Sequence, residues 1–308
     1  MASTFHTPAL LKETLEALQI KKDGIYVDAT FGGGGHATEI LKNLNNGKLI
    51  VFDQDPTALK NKPDAEKDKL IKIHSNFRFM QRFLTYINII KVDGIVADLG
   101  VSSYQFDTPE RGFSTRFNYQ LDLRMNPQSP FDAREIINSW SKEKLSDIFF
   151  GYADLTNANA IATKLIEERK HRKIETTFQL MEVLQPLTHV NFENKFFARV
   201  FQALRIAVND ELNSLKEFLN QTATILNTGG RLAVLTYHSL EDRIVKNFMR
   251  SGNAEGKINK DDFGNPQVSF KSVYKKPIQP SAQEIKNNQR ARSAKLRVGE
   301  KLEKTFKV

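Results

Sequence analysis

Along the first third of the chain, short apolar runs alternate with stretches whose apolar residues recur every three or four positions. The runs at 24–30 (GIYVDAT), 48–53 (KLIVFD), 70–74 (LIKIH) and 93–99 (DGIVADL) have strand length and turn-forming flanks. Helical or loop sequence separates them, at 37–44 and 76–88. Strands alternating with helices predict βαβ units and a parallel sheet. A fifth strand-like run, 230–237 (GRLAVLTY), comes only much later. The interval is too long for one crossover. Its first part, 108–128, is rich in Pro, Asn, Arg and Phe and reads as irregular. Helical periodicity then runs through 133–150, 157–170, 177–187 and 196–219. The pattern predicts an α/β fold: a Rossmann-like sheet domain formed by 1–105 and 213–308, with a helical domain inserted at 106–212. The sheet resumes through a helix at 211–226, the fifth strand, a helix at 240–250 and β-like 268–274. A basic tail at 287–297 with a short β-like end follows, and the N-terminal segment reads as an amphipathic helix.

Composition narrows the possible chemistry. The 308 residues carry a net charge of +9, which favours a polyanionic partner over a neutral small molecule. The chain contains no cysteine, so disulfides, thiolate metal sites and cysteine nucleophiles are excluded. No apolar run approaches the ~20 residues of a membrane span, and the N-terminus lacks a signal-peptide pattern, so a cytoplasmic protein is expected.

The richest local signal is 27–36 (VDATFGGGGH), between the first strand and a helix. Glycines there let backbone approach a ligand closely. Asp28 ends the first strand ahead of them, where it would oppose a pyrophosphate. The same acid suits the amino group and sulfonium of S-adenosylmethionine. Asp53 ends the second strand about 20 residues on, where a carboxylate accepts from ribose hydroxyls. Asp98 ends the fourth strand, so all three acids are expected on one rim of the sheet. Asp98, Ser102 and Ser103 can accept hydrogen bonds from a substrate amine and orient it; Tyr104 either stacks on a base or packs its loop.

These segments resemble the bacterial 16S ribosomal RNA cytosine-N4 methyltransferases, the RsmH or MraW family. The blocks that carry the resemblance are 28–36 (DATFGGGGH), 98–105 (DLGVSSYQ), 111–114 (RGFS), 121–125 (LDLRM), 199–209 (RVFQALRIAVN), 237–246 (YHSLEDRIVK) and 290–297 (RARSAKLR). They run in the family's order from near the N-terminus almost to the end. The resemblance implies a class I S-adenosylmethionine methyltransferase sheet with an inserted, RNA-recognising helical domain. Its implied reaction is methylation of the exocyclic N4 amine of a cytidine in the decoding region of 16S rRNA in the small ribosomal subunit, without a metal. It places donor-binding residues at Gly34, Gly35, His36, Asp53, Phe77, Asp98 and Gln105, with Phe77 against the adenine. Three positions depart from the family pattern: Gln289 and Tyr104 stand where proline is usual, and 151–157 lacks the customary acidic pair.

The residues alone leave rivals open: a nicotinamide-dependent oxidoreductase, a small-molecule methyltransferase, and a non-catalytic RNA-binding assembly factor. Oligomeric state stays open between monomer and homodimer. Arg111, Arg116 and Arg124, interleaved with Phe113, Phe117 and Tyr119, form a basic–aromatic loop suited to single-stranded RNA. Arg199 and Arg205 could meet acids instead of phosphate, whereas Arg290, Arg292, Lys295 and Arg297 make a basic tail cluster. His36 either touches the donor or caps its helix. His238 is expected to bond Ser239 or Glu241 in preference to acting as a general base.

Overall fold

The computed structural model describes residues 8–61 and 68–303. They fold into two compact units, one running to Gly100 and resuming at Leu212, the other spanning Val101–Glu211.

The first unit is built on seven strands: β1 (Ile25–Asp28), β2 (Lys48–Asp53), β3 (Leu70–His74), β4 (Val92–Asp98), β5 (Leu226–Thr236), β6 (Phe270–Ser272) and β7 (Lys295–Lys301). Their order is β3-β2-β1-β4-β5-β7-β6. The first five are mutually parallel, whereas β7 is antiparallel to both β5 and β6. Side chains alternate across this sheet because the strand period is two. Val27, Ile50, Phe52, Ile95, Ala97, Leu232 and Val234 enter one core, and Tyr26, Leu49, Val51, Val96, Ala233 and Leu235 the other. The sheet is therefore covered on both sides, which explains why its strands read as continuous apolar runs.

Helices α1 (Leu11–Leu18) and α2 (Gly35–Lys42) supply Leu18, Ala37 and Ile40 to the second of these cores. Helix α3 (Met80–Tyr86) supplies Met80 and Leu84 to the first. The second unit holds α4 (Ser103–Asp107), α5 (Ala133–Ser139), α6 (Lys142–Ala153), α7 (Ala158–Glu168), α8 (Thr177–Leu184) and α9 (Glu193–Asn209). It has its own core, in which Phe149, Ile161, Leu165, Leu180, Val200 and Leu204 are buried. Helix α10 (Glu211–Ile225) returns the chain to the sheet, where α11 (Ser239–Ser251) and the short α12 (Ala282–Asn287) complete it.

Two helical stretches in the sequence are each two helices. The stretch 133–150 breaks at Trp140, an extended residue, and Ser141 then caps α6 by accepting from Lys144 N at 3.3 Å. The stretch 196–219 breaks at Asp210, whose left-handed φ of 48° ends α9. Periodicity continues through both breaks because each new helix keeps an apolar face, so only the cap chemistry marks them. The β-like end expected after the basic tail is β7, which begins inside the tail, at Lys295, and lies between β5 and β6. At Gln289 the turn is capped by Asn288, whose Oδ1 accepts from Arg290 N at 3.2 Å.

Strand β4 passes beside Tyr26 at Gly94, where a Cβ would stand 2.7 Å from the ring. Gly94→Ala is expected to destabilise the fold by about 1–3 kcal/mol through overpacking, read as a lowered urea midpoint at unchanged slope.

Candidate active site

Parallel strands deliver their carboxyl ends to one edge, and β1, β2 and β4 each end there in an aspartate. Asp28 is fully buried; its Oδ1 accepts from Thr30 N at 3.1 Å, and its Oδ2 has no partner among the described residues. Asp53 spans the glycine turn, with Oδ2 accepting from Gly32 N at 2.7 Å and Oδ1 from Asp55 N at 2.8 Å. Asp98 accepts from the Tyr237 hydroxyl at 2.7 Å through Oδ1. Its backbone N–H donates to Thr30 Oγ1 at 2.6 Å, which ties the ends of β1 and β4 together.

The glycine turn is shaped by two different constraints. Gly34 sits at φ 78°, a left-handed conformation that costs a residue with a Cβ roughly 1–2 kcal/mol. Gly35 opens α2 against Pro8, whose Cγ would lie 2.3 Å from an added Cβ. His36 follows, 5% exposed, and does not cap its helix: the N-cap is Gly34, with no side-chain hydrogen bond. Its Nε2 has no partner among the described residues, and Nδ1 stands 4.0 Å from Asp98 Oδ2. Phe77 lies in a 3₁₀ turn after β3, its ring edge-on to Phe218 of α10 at 5.1 Å.

Burial dominates the electrostatics. It pushes the Asp28 carboxyl up to about 7, with the negative charges of Asp98 and Asp53 adding to the rise. It lifts Asp98 to about 7 against the opposing hydrogen bond from Tyr237, and Asp53 to about 6 against two backbone hydrogen bonds. The same burial depresses His36 to about 4, so its ring is neutral at pH 7 and the His36–Asp98 approach is no ion pair.

The second unit holds the other candidate residues. Ser102 and Gln105 cap α4 reciprocally: Ser102 Oγ accepts from Gln105 N at 3.2 Å, and Gln105 Oε1 accepts from Ser102 N at 3.1 Å. The sequence reading did not give them this task. Ser103 is half-buried at the start of α4, and Tyr104 is 56% exposed. Much of the basic–aromatic loop is structural. Arg124 makes a two-pronged pair with Asp122, at 2.8 and 2.7 Å, and Arg111 donates to the carbonyls of Arg124 and Met125. Phe113 is buried, whereas Arg116, Phe117 and Tyr119 are exposed. Arg205 pairs with Glu211 at 2.8 Å, and Arg199 donates to the Asp154 carbonyl. In the tail of the sheet unit, Arg297 and Lys295 both pair with Asp242, at 2.6 and 3.5 Å, and Arg290 and Arg292 are exposed. His238 Nε2 lies 3.1 Å from Glu241 Oε1, but neither ring nitrogen makes a hydrogen bond among the described residues, so the bond expected for it is not formed.

Tyr237 is the functional candidate that sequence reasoning passed over. Its place one residue beyond β5, on the same rim as the aspartates, was the available signal.

Five parallel strands, with antiparallel β7 between β5 and β6 and an acid at the ends of β1, β2 and β4, make a Rossmann-like α/β sheet, and the relatives below make the chain a methyltransferase. The chain belongs to the MraW methylase family, whose pattern matches residues 3–302. It is 53% identical over 299 residues to "Ribosomal RNA small subunit methyltransferase H" of Christiangramia forsetii, covering 97% of this chain and 98% of that one. Proteins of the same name from Flavobacterium johnsoniae and Amoebophilus asiaticus are each 51% identical, with 97% of this chain covered and 98% and 97% of theirs.

The carboxylate shifts give a stability prediction with a definite sign. Asp28 has its folded pKa raised from 3.8 to about 7, so the stabilisation from its retained proton is complete below about pH 4 and lost as pH rises through 7. Asp28→Asn is therefore expected to match the parent only at and below about pH 4. At pH 8 it should exceed the parent by up to about 4 kcal/mol in ligand-free thermal or urea unfolding.

Proposed function

We propose that this protein transfers a methyl group from S-adenosylmethionine to the exocyclic N4 amine of a cytidine in the decoding region of 16S rRNA, acting on the small ribosomal subunit. The observation that carries the donor assignment is the pair of unpartnered buried atoms beside the glycine turn, Asp28 Oδ2 and His36 Nε2. A donor bearing an ammonium, a carboxylate and ribose hydroxyls supplies partners for such atoms. The RNA assignment rests on the names of the relatives and on the resemblance of the motif blocks.

When bound, S-adenosylmethionine supplies an electrophilic methyl carbon on a positively charged sulfur. In the proposal Asp28 neutralises the donor's ammonium, and Asp53 accepts from the ribose through lone pairs left after it holds Gly32 and Asp55. Gly34 and Gly35 bring the backbone to the donor, and Phe77 offers a ring face to the adenine. Asp98 Oδ2 accepts an N–H of the cytidine amine and aims its lone pair. The nitrogen–carbon bond forms as the carbon–sulfur bond breaks with its electrons on sulfur, and the proton shed by nitrogen passes to Asp98. A carboxyl near 7 suits that exchange at neutral pH. The chain has no cysteine, so a cysteine adduct to the base plays no part. In the second unit Arg116, Phe117 and Tyr119 remain to meet phosphate and unstacked bases. The inserted helical unit and its exposed Arg116, Phe117 and Tyr119 favour an assembled subunit as substrate over a free oligonucleotide, with their contacts offsetting the few kcal/mol needed to unstack a cytidine there.

Methyl-labelled donor, incubated with small subunits lacking the modification, should put label into N4-methylated cytidine after digestion to nucleosides. Asp98→Ala should lower the rate by roughly 10²–10⁴-fold, whereas a non-catalytic assembly role would survive the substitution. Tight donor binding without incorporation would move the acceptor to another RNA or a small molecule.

A further inference from the structure

Tyr237 stands directly after β5, and its hydroxyl donates to Asp98 Oδ1 at 2.7 Å across the ends of two neighbouring parallel strands. Both ends of this contact are anchored. The Asp98 main chain is fixed by its N–H bond to Thr30 Oγ1 at 2.6 Å. The Tyr237 main chain is fixed by Glu241, which is 3% exposed: its Oε2 accepts from Tyr237 N at 3.0 Å and from His238 N at 3.4 Å. Glu241 lies in the first turn of α11, so the helix start, the end of β5 and the Asp98 carboxylate form one connected bracket.

A carboxylate held through one oxygen cannot rotate freely, and its second oxygen is committed to one direction. Here that oxygen, Oδ2, faces His36 Nδ1 at 4.0 Å, which is too far for a hydrogen bond. We infer that Tyr237 is a positioning residue for methyl transfer: by holding Asp98 Oδ1 it reserves Oδ2 for the N–H of the substrate amine. This inference rests on the role proposed above for Asp98.

The surrounding groups sharpen what Tyr237 does. Within the sheet unit, Asp98 is faced by Asp28 from β1, neutral His36 from α2, Glu241 from α11 and Tyr237 itself. Burial and Glu241 both favour the protonated carboxyl, and the Tyr237 hydrogen bond favours the carboxylate. The Tyr237 phenol is held well above its ordinary pKa of 10.0 by burial and by the charges of Asp98 and Glu241, so it stays a donor throughout the working pH range. Removing the hydroxyl should raise the Asp98 midpoint and leave less carboxylate at neutral pH.

The test is a carboxyl titration of the ligand-free full chain by carbon-13 NMR, with the Asp98 signal assigned by its loss in Asp98→Asn. In Tyr237→Phe the Asp98 midpoint should rise by about one pH unit. Transfer to unmodified small subunits should fall roughly tenfold in kcat at pH 7, about fivefold of it from lost carboxylate that returns by pH 9 and the rest from lost orientation that does not, with KM for the subunit unchanged. A 3-fluorotyrosine placed at position 237, a stronger donor of the same shape, should move the midpoint the other way, and it decides the matter if Tyr237→Phe does not fold. An unmoved Asp98 midpoint, or a loss equal at every pH, overturns the positioning role. If the parent chain transfers no methyl group to any subunit, the methylation reading falls, and the titration still judges whether Tyr237 controls Asp98.

Discussion

Negative charge placed at the ends of adjacent parallel strands is the constraint around which this protein is organised. Parallel pairing brings Asp28, Asp53 and Asp98 to one edge, where Asp28 is fully buried and Asp53 and Asp98 are half-buried. With no ligand they are satisfied mostly by backbone N–H groups and one phenol, and all three are held well above their usual range. A site built this way stores free energy that a cationic, hydroxyl-rich ligand releases on binding. Such trade of stability for readiness is common where a fold carries chemistry.

Much of this was legible in the sequence because the signals were local. The boundaries of β2 and β3 follow directly from their apolar runs, and Asp53 falls where its run stops; the runs around Asp28 and Asp98 extend to 30 and 99, past the ends of β1 and β4. The glycine turn declared itself by composition. The break at Asp210 and the insertion of β7 were not legible: the first depends on one residue's backbone sign, the second on a pairing with β5 about sixty residues earlier. Tyr237 lay in plain view beside His238, but nothing local says that its hydroxyl reaches Asp98, 139 positions away.

Charge was the least transparent level. The surplus of +9 is real, but Arg111, Arg124, Arg205 and Arg297 are committed to carbonyls or carboxylates of the chain itself. Sequence shows how many cations there are; only the fold shows which are already engaged. Those that stay outward, such as Arg116 and Arg292, are the ones able to answer a phosphate.

The place of β7 has a consequence for how the chain is made. During synthesis β5 emerges with one long edge that has no partner until residues 295–301 follow it, and β6 waits for the same strand. An open edge of Leu232, Val234 and Leu235 is a template for pairing with another chain. The basic residues ahead of and within β7, Arg290, Arg292, Lys295 and Arg297, put like charge on the last strand, and like charge opposes its pairing with another copy of itself.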